Sequence, residues 1–177
     1  MATVKWTLDP SHSEVSFKIR HLMIANVSGH FNKFNVEVET EGQDFTTAKA
    51  KFTADIDSVN TKNEQRDQHL KSPDFFDAAK FPSLSFVPTK IEKKDEENYT
   101  ITGNLTIRDV TKPVKLDAEF GGVVSDPWGN TRAGLTVNGK INRKEFGLSW
   151  HAVTEAGGVV AGDEVKFHAE IELIKQA

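Results

Sequence analysis

From Ala48 to Asp57 the chain alternates without a break. Ala48, Ala50, Phe52, Ala54 and Ile56 hold one phase, and Lys49, Lys51, Thr53, Asp55 and Asp57 hold the other. A side-chain period of two puts successive residues on opposite faces, so this stretch suits a strand with one dry face and one wet face. The pattern recurs. Tyr99, Ile101, Gly103, Leu105 and Ile107 oppose polar neighbours, as do Val114, Leu116, Ala118 and Phe120. Ala133, Leu135, Val137, Gly139 and Ile141 do the same, followed by Val165, Phe167, Ala169, Ile171 and Leu173. Shorter runs open the chain at Val4, Trp6 and Leu8, then at Val15, Phe17 and Ile19. Past Val27, Gly29 and Phe31 the phase flips after Asn32-Lys33 to Phe34, Val36 and Val38, as one extra residue in a β-bulge would make it.

Strands apolar on one face only belong to antiparallel sheets with one solvated side. The connections are short, so neighbours in sequence are expected to pair. The strands run about 10–14 residues, long for a sandwich and natural for tilted barrel strands. The expected fold is all-β: an eight-stranded antiparallel up-and-down barrel, one domain over residues 1–177.

One stretch breaks the pattern. Between about 60 and 82 the chain makes a detour of roughly 25 residues, a length that in a small domain usually serves a purpose. Thr61 and Glu64 have the spacing of a capping box, predicting a short helix over Glu64–Lys71, and Ser72-Pro73 stops it. Phe75 and Phe76 then offer two aromatic anchors. The insertion reads either as a fixed cap on one end of the core or as a lid.

A net charge of −4 and a pI near 5.9 argue against a nucleic-acid partner, which calls for a basic face. Without cysteine there is no disulfide, zinc-thiolate site or thiol nucleophile. No apolar run is long enough to span a membrane. The opening MATVKWTLDPSHSEV has no apolar signal segment, so the expected location is cytoplasmic, or periplasmic or extracellular if a signal was removed.

Motifs of nucleophilic, zinc-protease or phosphate-loop chemistry are absent from the sequence. His12, His21 and His30 lie nine apart, an odd spacing that sends neighbours to opposite faces, and neither His21 nor His30 has a histidine or carboxylate two residues on. Asp55 and Asp57 share the polar phase, where solvated surface charge is the simpler reading than acid–base chemistry. Arg20-His21 stands where a strand gives way to Leu22-Met23-Ile24, a place suited either to a ligand head group or to capping a turn. No catalytic residue, metal ligand or cofactor is assigned.

The apolar phase carries many small residues, among them Ala48, Ala50, Ala54, Gly103, Ala118, Ala133, Gly139 and Ala169. An eight-stranded barrel either fills with side chains or holds one small ligand, and small inward residues favour the second case. The alternative is that Phe17, Phe31, Phe52, Phe86, Phe120 and Phe167 fill the interior, large against small.

Several separate motifs, in order, resemble one family. They are Trp6-Thr7-Leu8-Asp9-Pro10-Ser11-His12-Ser13, Phe17 through Arg20-His21, and Val27-Ser28-Gly29-His30-Phe31. In the detour they are Ser58-Val59-Asn60-Thr61, Arg66-Asp67, His69-Leu70, Ser72-Pro73-Asp74-Phe75-Phe76-Asp77 and Phe81-Pro82. Gly103-Asn104-Leu105-Thr106-Ile107, Thr111-Lys112-Pro113-Val114 and Asn142-Arg143-Lys144-Glu145-Phe146-Gly147 complete the set. The chain resembles the YceI-like family of lipocalin-like, polyisoprenoid-binding proteins from about Thr3 to Leu173. The resemblance implies a long apolar tunnel, a bound isoprenoid or other long-chain amphiphile, and often a homodimer. Expected ligand contacts are Phe17, Ile19, Arg20, His21, Phe31, Ala50, Phe52, Ile56, Phe75, Phe86, Ile101, Leu105, Leu135, Val137, Phe146, Trp150 and Phe167. The function expected is non-catalytic lipid binding, as carrier, sequestering agent or sensor. Its rivals are an enzyme acting on an isoprenoid or fatty-acid derivative through His12, His21 or Asp55, and a stress-response interaction module.

Overall fold

Three strands are each broken in mid-course, and the breaks fall side by side in one closed sheet. The structure is a computed structural model that describes residues 2–21, 24–73, 75–148 and 161–176. Its strands are β1 (Thr3–Leu8), β2 (Glu14–His21), β3 (Ala25–Phe31), β4 (Phe34–Glu41), β5 (Asp44–Asp55) and β6 (Val59–Asn60). After the helix α1 (Glu64–Lys71) come β7 (Ser83–Lys93), β8 (Asn98–Ile107), β9 (Val110–Ser125), β10 (Thr131–Asn142) and β11 (Ala161–Lys175).

β1 and β2 form one barrel strand interrupted by a 3-10 turn at Pro10–His12, capped by the Asp9 carboxylate, which accepts from the Ser11 N–H. β3 and β4 form a second, kinked at Asn32-Lys33 as the phase flip predicts. β5 and β6 form a third, broken by a 3-10 turn at Ile56–Ser58. β11 pairs with β10 along one edge and, along the other, with β2 and then β1, closing the ring. The result is an eight-stranded closed antiparallel barrel with one short helix.

Two local expectations change. Asp55 and Asp57 are not two carboxylates on one strand face. The strand stops at Asp55, whose side chain accepts from the Asp57 N–H at 3.1 Å and caps the turn instead. The helix is where it was expected, but Asn63 caps it by accepting from the Arg66 N–H at 3.0 Å. Thr61 is buried and works further out. Its N–H and hydroxyl both donate to Asp67, and its hydroxyl and carbonyl accept from the Arg66 guanidinium. A polar turn buried beside the barrel end needs that full set of partners.

The barrel has a packed end and an open interior. At the helical end Ile56, Val59, Ile107, Phe146, Leu148 and Phe75 are all buried. The helix itself buries no residue; the turns after it do the anchoring, with Phe75 and Asp77 both buried. β8 and β9 meet in a tight turn at Arg108, which adopts φ 57. That guanidinium donates to the carbonyls of Gly147, Phe75 and Pro73 at 3.0, 3.2 and 3.3 Å, so one side chain ties the insertion to the end of the barrel.

Candidate ligand-binding lumen

The alternation that makes the strands also makes the lumen. Inward residues from β2, β3, β4, β5, β7, β8, β9, β10 and β11 converge on one cavity of about 210 Å³. Val36, Val38, Ala48, Ala50, Phe52, Ile91, Ile101, Val114, Leu116 and Val137 line its middle. Phe45, Tyr99 and Phe120 line the end opposite the helix. Tyr99 and His168 are the polar residues among those lining it, and the His168 ring is engaged by Asn138 and Glu170 at 2.7 and 2.8 Å. A cavity walled by aliphatic and aromatic groups offers water almost no hydrogen bonds and suits apolar occupants.

The aromatic rings are arranged in contact chains. Trp6 is buried, donates its indole N–H to the Thr40 hydroxyl at 2.9 Å, and lies 5.1 Å from Phe45 between ring centroids. Phe45 reaches Phe120 on β9 at 4.8 Å, and Tyr99 meets Phe120 edge-on at 6.1 Å. This chain crosses the lumen and floors one end. At the other end Phe31 contacts Phe17 at 5.5 Å and Phe76 at 6.1 Å, while Arg143 lies over Phe75 and Arg108 over Phe81. Burial pushes the Arg143 guanidinium below its ordinary value, with Asp163 opposing. Its Nε and Nη1 donate to the Gly162 and Leu148 carbonyls.

The residues expected at the ligand separate into groups. Phe31, Ala50, Phe52, Phe86, Ile101, Leu105, Leu135, Val137 and Phe167 line the lumen. Ile56, Phe75 and Phe146 sit in the packed end, and Phe17 packs in the core against Phe31. Ile19 and Arg20 lie on β2 outside the lining, with Arg20 exposed. His21 ends β2; its side chain and Trp150 lie outside the described residues. Sequence reasoning left out Val15, Val36, Val38, Phe45, Ala48, Ile91, Val114, Leu116 and Phe120, all lumen-lining. The same alternation marks most of them, so the phase rule carried further would have found them. Pro88 also lines the lumen, and nothing in the alternation marks a proline as inward.

Small inward residues do not all make space. A Cβ on Gly29 would lie 2.4 Å from Phe17 Cζ, and one on Gly139 would lie 2.2 Å from Leu116 Cδ2. These glycines receive large side chains from neighbouring strands. Ala54 and Ala133 are each 1% exposed and belong to the packed core. Ala48 and Ala50 border the open lumen. Large-against-small packing and a hollow therefore coexist, in different parts of one barrel.

Of the three histidines weighed as metal ligands, His12 gathers carboxylates rather than histidines. Among the described residues, Asp9, His12 and Glu172 bring ligand atoms within 4.8 Å of one another. The Arg132 guanidinium already stands between them. Its Nη1 donates to Asp9 and Glu172 at 2.6 and 2.7 Å, and its Nε donates to Asp126 at 2.6 Å. The His12, Ser11 and Arg132 hydrogen bonds hold the Asp9 carboxyl far below its ordinary value, while the Asp9 carboxylate raises His12. Asp126 is lowered chiefly by Arg132, and Arg132 is raised chiefly by Asp126 and Asp9. This is an ion-pair latch joining the β1–β2 turn, the β9–β10 turn and β11.

Residues 6–173 match the family model for the YceI-like domain. The chain belongs to the YceI family. A UPF0312 protein of Staphylococcus aureus strain USA300 is 41% identical over 168 residues, covering 94% of this chain and 95% of that relative. The Campylobacter jejuni YceI protein superposes with a TM-score of 0.77 at 38% identity, over 96% of this chain and 97% of that one. Burkholderia cenocepacia BcnA superposes with a TM-score of 0.81 at 21% identity, over 93% and 98% of the two chains, a likeness of fold.

Proposed function

We propose that this barrel binds a long apolar chain, a polyisoprenoid or a similar amphiphile, in its lumen without catalysing a reaction on it. The observation that carries the reading is the lining of the hollow. Aliphatic and aromatic side chains wall it almost throughout, and among the described residues lining it the polar ones are Tyr99 and His168, the latter engaged by Asn138 and Glu170. Burying methylenes gives affinity at about 0.8 kcal/mol each, without any charged partner. A polyisoprenoid binding domain from Saccharophagus degradans shares this fold at a TM-score of 0.65 and 13% identity, which supports the ligand class. The biological role is that of a carrier, a sequestering agent or a sensor, acting as a homodimer.

Native mass spectrometry of freshly purified protein tests the reading. A fixed added mass, removed by organic extraction and restored by adding back the extract, is the expected result. Protein mass alone in every preparation, with no uptake of a fluorescent long-chain fatty acid, contradicts it.

A further inference from the structure

Aromatic rings crowd both ends of the lumen, and its wall is not paired along its whole length. At one end Phe45, Phe120 and Tyr99 meet across the barrel. At the other, Phe31 and Phe76 are in edge contact beneath the helical insertion. Between these ends, β5 and β7 are adjacent but pair only from Phe52↔Phe86 to Asp55↔Ser83. β5 continues from Lys51 back to Asp44, hydrogen-bonded to β4 alone, and β7 continues from Val87 to Lys93, hydrogen-bonded to β8 alone. Long strands side by side without a ladder are unusual, because each leaves a row of N–H and C=O groups unmatched.

The residues at the separation explain it. Pro88 stands just past the last paired residue of β7 and has no N–H to donate. The register of β7 on β8 then slips between Pro88 and Lys90, an irregularity of the bulge kind that interrupts the regular edge β7 offers to β5. On the facing edge the inward residues are Ala48 and Ala50, which fill little of the space between the strands. Ala48, Ala50, Pro88 and Ile91 all border the lumen and are all only partly buried. The unpaired stretch is therefore bordered by apolar groups that also line the cavity.

We propose that apolar chains enter and leave the lumen sideways, through this seam between β5 and β7, rather than through either end. The inference rests on the lipid-binding reading above. It also bears on ligand class: a slot open along its length admits a chain by its flank, and a chain longer than the lumen can lie partly outside it.

The cysteine-free chain makes a cross-link test clean. Extending the Phe52↔Phe86 register sets Lys49 opposite Thr89, both exposed, so a link there leaves the lumen's lining untouched. Lys49→Cys/Thr89→Cys joined by a flexible bis-maleimide should slow both uptake and release of a fluorescent long-chain fatty acid by about tenfold or more, with the equilibrium affinity kept. A control link between Lys140→Cys and Lys166→Cys, paired neighbours on β10 and β11, should leave both rates alone. If the first link disturbs the sheet, Lys51→Cys/Val87→Cys one rung pair nearer the ladder carries the same test. Unchanged rates in the seam-linked protein, or equal slowing by both links, overturn the lateral route while leaving lumen binding intact. Failure of the unlinked parent to take up the probe overturns the lipid-binding reading, and the route with it.

Discussion

The Phe86 ring occupies the place where a side chain on Gly103 would begin. Phe86 Cζ lies 2.6 Å from the position of a Cβ on Gly103, and the Val87 carbonyl oxygen lies equally close at 2.6 Å. The ring could rotate away from a methyl group, but the paired β7 backbone cannot. Gly103→Ala should therefore destabilise the barrel by about 1–3 kcal/mol, the usual range for overpacking a filled core. Gly134 on β10 has nothing within 4 Å of its Cβ position. Gly134→Ala should be near neutral, and urea unfolding of the two variants compares them directly.

Ala50 and Ala133 look alike in sequence and differ in place. Ala50 borders the hollow, whereas Ala133 is 1% exposed in the packed core. A phenylalanine at Ala133 should cost about 1–3 kcal/mol or more. One at Ala50 should enter open volume, change stability little and reduce uptake of a fluorescent fatty acid. Thermal melts of lipid-free protein with matched binding titrations check both halves. Equal destabilisation by the two substitutions would mean that the interior is solid.

Arg108 ties the insertion to the barrel end, as a fixed cap would require. Arg108→Ala would leave the carbonyls of Pro73, Phe75 and Gly147 without that donor. Loss of hydrogen bonds to these partly exposed carbonyls should cost about 0.5–1.5 kcal/mol, and the loss should fall locally on residues 72–82. Hydrogen exchange should show faster exchange there with the central strands unchanged. Exchange rising uniformly over the barrel would contradict a local cap.

Stability should peak in mildly acidic solution because of the latch around Arg132. Asp9 and Asp126 have lowered values when folded, so their contribution is complete above 3.8 and fades as pH falls through the depressed values. His12 is raised, so its contribution is complete below 6.5 and is lost as pH rises through its elevated value. The window between those two pH values should give the highest melting temperature at low salt. In His12→Gln the decline above 6.5 should disappear while the acid limb remains. A melting curve in which His12→Gln keeps the alkaline decline would contradict this assignment.

The strands were legible because alternation reports a half-buried sheet directly, and even the kink at Asn32-Lys33 showed as a change of phase. The helix was legible from local capping chemistry, although Asn63 rather than Thr61 caps it. The lumen was legible only in part. A small inward residue signals either a void or a slot for a neighbour's ring, and the sequence of one strand does not contain the other. Gly103 and Ala50 share a phase, yet Phe86 fills the first and the hollow borders the second. The latch was hidden for the same reason. Asp9, Arg132 and Glu172 meet only because β1, β10 and β11 are brought together when the barrel closes.

On the proposed reading a hollow apolar lumen, not a surface feature, holds the ligand. Binding of saturated fatty acids of increasing length to delipidated protein, measured by isothermal calorimetry, tests it most directly. Each methylene added within the lumen should strengthen binding by about 0.8 kcal/mol, roughly a fourfold fall in Kd, and the Ala50→Phe variant should lose most of that gain. An affinity that does not change with chain length, or that Ala50→Phe leaves intact, would contradict binding in the lumen.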